Sequence, residues 1–286
     1  MLEPQFLDLV IMQNNLKISF IGGGNMATAL IGGLAGKLTA GGNIHVIDKN
    51  PDSLQGLQQT FGVSAGGRID SAIARSDVIV LSVKPQQIRA VVAELSPHLS
   101  SQLVLSIAAG IRTSDLTRWL RGYQAIVRTM PNTPALIGKG ITGMFAVSSV
   151  SDGQRNMADA ILRAVGATIW VDDESMLDAV TAMSGSGPAY VFYFIEAMQL
   201  AGQKMGFTAG QATQLALATF SGATELAMKS ADPISILRER VTSPGGTTFA
   251  AIASMERGGV KDAIVAAIEA AAARSEELGE QFGRES

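Results

Sequence analysis

Over residues 17–171, short apolar runs rich in β-branched residues alternate with longer stretches whose apolar positions recur at helical spacing. The runs at 18–21, 44–48, 78–83, 103–107 and 125–128 predict strands. Two more, at 143–147 and 168–171, flank a helix expected over 152–165. Their nearly unbroken apolar character suits strands buried on both faces, and the strand–helix alternation predicts a parallel sheet covered by helices on each side. After Asp172-Asp173-Glu174 the strand-like runs cease, and Ala, Met and Leu recur at helical spacing as far as Leu278, which predicts an all-helical second part. Gly185-Ser186-Gly187-Pro188 interrupts that pattern, and Pro188 suits the first turn of a long helix carrying Tyr190, Phe194, Ala197 and Ala201. The chain is therefore divided into an extension over residues 1–15, an α/β domain over 16–171 and a helical domain over 172–286.

Composition narrows the chemistry. The 286 residues carry 22 Lys and Arg against 25 Asp and Glu, a net charge of −3 with the cations scattered, so nothing points to nucleic acid. With no cysteine, disulfides, thiolate catalysis and thiolate metal sites are excluded, and two histidines, His45 and His98, make a histidine-rich metal site implausible. No metal is expected. The apolar stretch over residues 6–12 has Glu3 and Asp8 nearby where a secretory leader carries positive charge, and Met12 is a candidate for an alternative start. No apolar run approaches the ~20 residues of a bilayer span. A cytoplasmic protein is expected, its mean hydropathy of +0.25 reflecting buried helices and a subunit interface.

The first strand run, Ile18-Ser19-Phe20-Ile21, leads directly into Gly22-Gly23-Gly24-Asn25-Met26-Ala27. This is the G-x-G-x-x-A form of the dinucleotide fingerprint, standing between a strand and a helix as a Rossmann-type, doubly wound sheet requires. Gly22 serves the tight turn, Gly24 lets backbone approach a pyrophosphate, and Ala27 holds the helix close to the sheet. Asp48 closes the second strand run 21 residues after Ala27, near the spacing at which an acid bonds a ribose 2′-hydroxyl. Lys49 and Asn50 follow at once and offer a cation and an amide to a 2′-phosphate, so NADPH and NADH both stay open. Val83, Lys84 and Pro85 end a strand on the edge where the cofactor binds. In Met130-Pro131-Asn132-Thr133-Pro134 the two prolines stiffen a loop whose Asn132 either bonds a nicotinamide carboxamide or stabilises its own turn.

The second chemical feature lies at Val241-Thr242-Ser243-Pro244-Gly245-Gly246-Thr247-Thr248. Thr242 and Ser243 are candidate caps, and Pro244 suits a first turn, so a helix is expected to begin near Pro244. Its free amide N–H groups, uncovered by Gly245 and Gly246, favour a carboxylate or phosphate. The acids at 172–174 are read as the acidic start of a helix. Tyr190, Phe192, Tyr193 and Phe194 are read as core or dimer contacts rather than a substrate wall.

With these blocks in order, the chain resembles the pyrroline-5-carboxylate reductases over almost everything after Asn15. The resemblance rests on the 21–27 glycine block, Ser82-Val83-Lys84-Pro85, the 130–134 loop, Ser184-Gly185-Ser186-Gly187-Pro188-Ala189-Tyr190 and the 241–248 block. It implies a Rossmann domain binding NADPH or NADH, an all-helical dimerisation domain, a homodimer with interleaved helices that also forms decamers, and an active site between the domains. It assigns Ser243, Gly246, Thr247 and Thr248, with Gly245 beside them, to the substrate carboxylate, and places the Thr248 hydroxyl at the imine nitrogen. Gly22, Gly24, Asn25 and Met26 fall to the pyrophosphate, Lys84 and Pro85 to a cofactor-side loop, and Asn132 to the nicotinamide loop. Two residues depart from the family pattern, Gly23 for a frequent alanine and Asp48 for a frequent neutral residue. The implied reaction is hydride transfer to the imine carbon of 1-pyrroline-5-carboxylate, giving L-proline, with positioning and hydrogen bonding in place of a strong acid. Rival readings are a reductase of another cyclic imine, and a non-catalytic dinucleotide-binding redox sensor. A hydroxy-acid dehydrogenase is disfavoured because no lysine occurs over 182–203 to act as its base.

Overall fold

The computed structural model describes residues 15–284, so the extension read at 1–15 lies, except for Asn15, outside the described residues. The described residues form two compact units, one of residues 15–185 with 271–284 and one of residues 186–270.

The first unit is built on an eight-stranded sheet in the order β3-β2-β1-β4-β5-β6-β7-β8. The strands are β1 (Ile18–Ile21), β2 (Ile44–Ile47), β3 (Ser64–Gly66), β4 (Val78–Leu81), β5 (Leu103–Ser106), β6 (Ile126–Met130), β7 (Gly140–Ala146) and β8 (Gly166–Trp170). Six strands run parallel from β3 to β6. The sheet departs from the all-parallel expectation at one place: β7 pairs antiparallel with β6, and β8 then runs parallel to β7. The cause is local, because β6 returns into β7 through a short 3-10 turn over Thr133–Ile137 instead of a full helical crossover. β3 escapes a hydrophobic reading altogether, since its three residues Ser64, Ala65 and Gly66 carry no large apolar side chain.

Five helices complete the layers: α1 (Asn25–Leu34), α2 (Pro51–Phe61), α3 (Pro85–Leu95), α4 (Thr113–Trp119) and α5 (Asp152–Arg163). The central strands β1, β4 and β5 are buried at every position. Alternate residues feed two cores, as a strand's period of two demands. Phe20, Val46, Val80, Leu105 and Val127 meet Leu30, Ile31 and Leu34 of α1 and Ile161 and Leu162 of α5. Ile21, Ile79, Leu81, Val104 and Ile126 meet Ile88, Val92 and Leu95 of α3 and Leu116 of α4. Each such side chain contributes about 2 kcal/mol on burial, and together they hold the strand ends in fixed register.

Beyond β8 the chain is helical throughout: α6 (Met176–Val180), a π turn over Thr181–Gly185, α7 (Gly187–Lys204), α8 (Ala209–Lys229), α9 (Ile234–Arg240), α10 (Thr247–Arg257) and α11 (Val260–Arg284). Pro188 lies in the first turn of α7. In the second unit α7 and α8 pack through small residues; a Cβ on Gly202 would stand 3.0 Å from that of Ala212. The C-terminal part of α11 belongs to the first unit, where the Ser275 hydroxyl donates to Asp178 at 2.6 Å and Arg118 donates to the Gly283 carbonyl at 2.8 Å. Among the described residues no helix is long and apolar enough to cross a membrane.

Candidate active site

The glycine loop is held in place from three strands. Gly22 has φ +107°, its N–H donates to the Ile47 carbonyl at 2.7 Å, and a Cβ there would stand 2.6 Å from the Ser82 carbonyl oxygen. Only glycine fits this turn. Ser82, just past β4, donates its hydroxyl to the carbonyls of Ile21 at 3.0 Å and Gly22 at 2.8 Å. Ser53 of α2 donates to the Gly23 carbonyl at 2.8 Å, and Asp48 accepts from the Gly23 N–H at 2.6 Å. The sequence reading gives neither Ser53 nor Ser82 a role of its own, although Ser82 opens one of the blocks that carry the resemblance. The one signal for Ser82 is a hydroxyl that ends an otherwise apolar strand run.

Gly24 differs from its neighbours. It is exposed, it is the N-cap of α1 with no side-chain cap bond, and a Cβ on it would meet nothing within 4 Å among the described residues. The amides of Asn25 and Met26 in the first turn therefore face a position where backbone is uncovered, the arrangement that accepts a phosphate. Ala27 is 1% exposed and packs α1 against the sheet. These features fit a dinucleotide pyrophosphate. Val83, Lys84 and Pro85 follow β4 on the same edge of the sheet; Lys84 is exposed and caps α3, with Pro85 at its first position.

Asp48, Lys49 and Asn50 lie between β2 and α2. Asp48 also accepts from the Asn50 N–H at 2.8 Å, Asn50 caps α2 by accepting from Asp52 N–H at 3.0 Å, and Lys49 is exposed. Asn132 is 9% exposed with both ends of its amide engaged: Oδ1 accepts from the Ile141 N–H at 3.0 Å and Nδ2 donates to the Ser184 carbonyl at 3.2 Å. Its side chain ties the 130–134 loop to β7 and to the π turn rather than to its own turn.

The acids at 172–174 do more than begin a helix. Glu174 accepts from the Thr113 N–H at 2.7 Å and hydroxyl at 2.5 Å and from Arg128 Nη1 at 3.0 Å, while Arg128 also faces Asp178 at 3.8 Å. The Arg128 side chain is only 4% exposed, so this is a buried charge cluster. Among the described residues no three His, Asp or Glu side chains group so as to hold a metal ion.

In the second unit the expected helix start is corrected by three residues. Residues 243–246 form a turn closed by Gly246 N–H to the Ser243 carbonyl at 3.0 Å, with Gly245 at φ +71°, and α10 begins at Thr247 with Gly246 as N-cap. Pro followed by a positive-φ glycine dictates this turn, which is why Pro244 lies ahead of the helix. Thr242 and Ser243 do not cap α10; the Thr242 hydroxyl donates back to the Arg238 carbonyl at 2.6 Å. Gly246 supplies no capping side chain to the amides of Thr247, Thr248 and Phe249. Thr247 is exposed and Thr248 half-buried.

A glycine loop built this way at the head of a doubly wound sheet, followed by a helical part, is the architecture of a nicotinamide-nucleotide-dependent oxidoreductase. The family model described as NADP oxidoreductase, coenzyme F420-dependent, matches residues 17–110, and the pyrroline-5-carboxylate reductase dimerisation model matches residues 174–278. The pyrroline-5-carboxylate reductase of Pseudomonas aeruginosa is 44% identical over 269 residues, 94% of this chain and 98% of that one. That of Haemophilus influenzae is 41% identical over 273 residues, 95% and 100% of the two chains. Among solved structures, the reductase from Coxiella burnetii superposes with TM-score 0.87 at 40% identity, covering 93% of this chain and 99% of that one. The Plasmodium falciparum pyrroline carboxylate reductase with NADP bound gives 0.83 at 31% identity and the same two coverages. The chain belongs to the pyrroline-5-carboxylate reductase family, NAD(P)H-dependent oxidoreductases that reduce 1-pyrroline-5-carboxylate to proline.

Proposed function

We propose that this chain reduces 1-pyrroline-5-carboxylate to L-proline in the cytoplasm, as a homodimer whose helical parts interleave and whose dimers assemble further into decamers. The observation that carries the site assignment is the open start of α10, with a glycine N-cap and a preceding Pro-Gly turn that together leave first-turn amides available to a carboxylate.

When bound, NADPH or NADH supplies the hydride for the imine carbon. The residues of the chain do the rest. Gly22, Gly24, Asn25 and Met26 receive the pyrophosphate, with Val83, Lys84 and Pro85 on the cofactor side and Asn132 fixing the loop after β6. Ser243, Gly245, Gly246, Thr247 and Thr248 hold the substrate carboxylate, and the Thr248 hydroxyl meets the ring nitrogen. A protonated imine is already electrophilic, so hydride addition yields the amine with no further acid, and placement carries the rate. This agrees with a site made of amides and hydroxyls.

The assembly has physical support in the apolar surface of the second unit. Phe192 is 61% exposed, Tyr193 75%, Leu226 61% and Met228 82%, more than a monomeric helical unit leaves to water.

The test is Thr248→Ala against Thr248→Ser in steady-state turnover of 1-pyrroline-5-carboxylate. The alanine variant should lose about tenfold to a hundredfold in kcat, and the serine variant should keep most of it. Unchanged kcat in Thr248→Ala removes the assigned role.

A further inference from the structure

We propose that Asp48 sets the choice of cofactor, selecting a dinucleotide with an unmodified adenosine ribose and rejecting one with a 2′-phosphate, so that this enzyme works with NADH in preference to NADPH. The inference rests on the reductase reading and goes beyond it.

Asp48 stands at the C-terminal end of β2, beside the glycine loop, where the adenosine ribose of a dinucleotide lies in folds of this class. Its carboxylate is fixed there from two directions. Oδ2 accepts from the Gly23 N–H at 2.6 Å and Oδ1 from the Asn50 N–H at 2.8 Å. A carboxylate has about four acceptor positions. Two are taken by backbone, one on each oxygen, and one on each oxygen is left. Two acceptors side by side on a half-exposed group match a vicinal diol, which brings two O–H donors. A 2′-phosphate brings negative charge and acceptor oxygens to the same place, which is repulsion in addition to a lost bond.

Backbone holds the carboxylate on both oxygens, and the glycine loop beside it is itself pinned. Gly23 also accepts the Ser53 hydroxyl at 2.8 Å, and a Cβ on Gly23 would stand 3.0 Å from Ser53 Oγ, 3.3 Å from Leu57 Cδ1 and 3.4 Å from Asp48 Oδ2. The loop and the acid thus pack together, and the close neighbours of a Gly23 side chain would be Ser53 and Leu57 rather than Asp48. The opposing features are weaker. The Asn50 side-chain oxygen is occupied in capping α2, whose first turn adds a further acid, Asp52. Lys49 and Arg68, the latter in the loop after β3, are exposed cations whose pull on a phosphate is screened by solvent.

The test is equilibrium binding of NADH, NADPH, 5′-ADP and 2′,5′-ADP to the wild-type enzyme, Asp48→Ser and Asp48→Asn by titration calorimetry, with circular dichroism confirming that each variant is folded. Wild type should bind NADH at least about tenfold more tightly than NADPH, and 5′-ADP more tightly than 2′,5′-ADP. Both ratios should shrink or invert in Asp48→Ser, and Asp48→Asn should fall between, since it loses the charge but keeps an acceptor. Wild type favouring NADPH, or variants that leave both ratios unchanged, overturns the proposal while the reductase reading stands. Failure of the folded wild-type enzyme to bind either dinucleotide overturns both.

Discussion

At Gly22, two independent constraints meet in one residue. Its φ of +107° is closed to L side chains, and the space a Cβ would take is filled by the Ser82 carbonyl at 2.6 Å. Gly22→Ala should therefore displace either the loop or the β4 end. We expect dinucleotide binding weakened by at least about a hundredfold and stability lowered by about 2 kcal/mol or more, read by titration calorimetry and urea unfolding. Gly24→Ala, with nothing within 4 Å of its Cβ, should fold normally and act only on binding. His45 makes a second residue-scale prediction. Burial pushes its pKa below the ordinary imidazole value of about 6.5, against the opposing pull of Asp70 and with a small push from Arg75. Its Nε2 is buried without a hydrogen-bond partner among the described residues, and Nδ1 pairs with the Ser64 hydroxyl at 2.9 Å. A lowered folded pKa means that the unfolded chain takes up the proton first as pH falls. Stability is thus unaffected above about 6.5 and declines below it until the folded pKa is passed. His45→Gln should flatten that decline in urea midpoints measured from pH 7.5 down to 5; an unaltered slope would assign the loss to other groups.

At the scale of elements, the charge cluster on β6 and α6 shows what a strand can hide. Arg128 is nearly inaccessible, and its close partner is Glu174, which also fastens the start of α4 through Thr113. Glu174→Ala leaves a buried guanidinium with Asp178 alone at 3.8 Å, so about 3 kcal/mol of stability should be lost in denaturant titration. Glu174→Gln should lose less, because an acceptor remains. A loss within experimental error for Glu174→Ala would show that Asp178 and water suffice. None of this pairing was visible in the sequence, where Asp172-Asp173-Glu174 has the look of an acidic helix start and Arg128 of a strand end; partners 46 residues apart are joined only by the sheet. The strands with continuous β-branched runs were legible to within a few residues because burial on both faces imposes that composition. β3 was not, having only Ser, Ala and Gly, and the reversal of β7 was not, because direction is set by the length of the connection rather than by the strand. The same holds for the substrate loop. Pro244 and the glycines marked a special backbone, but proline suits both a first helical turn and the second position of a turn, and the positive φ at Gly245 chose the latter.

At the scale of the molecule, the glycine block and the 241–248 block lie more than two hundred residues apart in the chain, in different compact units, and the proposed chemistry requires both to hold the reactants of one hydride transfer. The nucleotide half was readable because its chemistry is written in local backbone demands, namely glycines at a turn and a helix start behind a strand. The helical half gave its fold through periodicity, whereas its large exposed apolar residues become meaningful only when burial is known. The central claim is that these two features serve the reduction of one small imino acid. It is tested most directly by incubating the purified enzyme with 1-pyrroline-5-carboxylate and either reduced nicotinamide dinucleotide, while following dinucleotide oxidation and proline formation together. The account predicts imine-dependent oxidation matched one for one by L-proline. Absence of imine-dependent oxidation with both NADH and NADPH, from an enzyme that binds either dinucleotide, would contradict it.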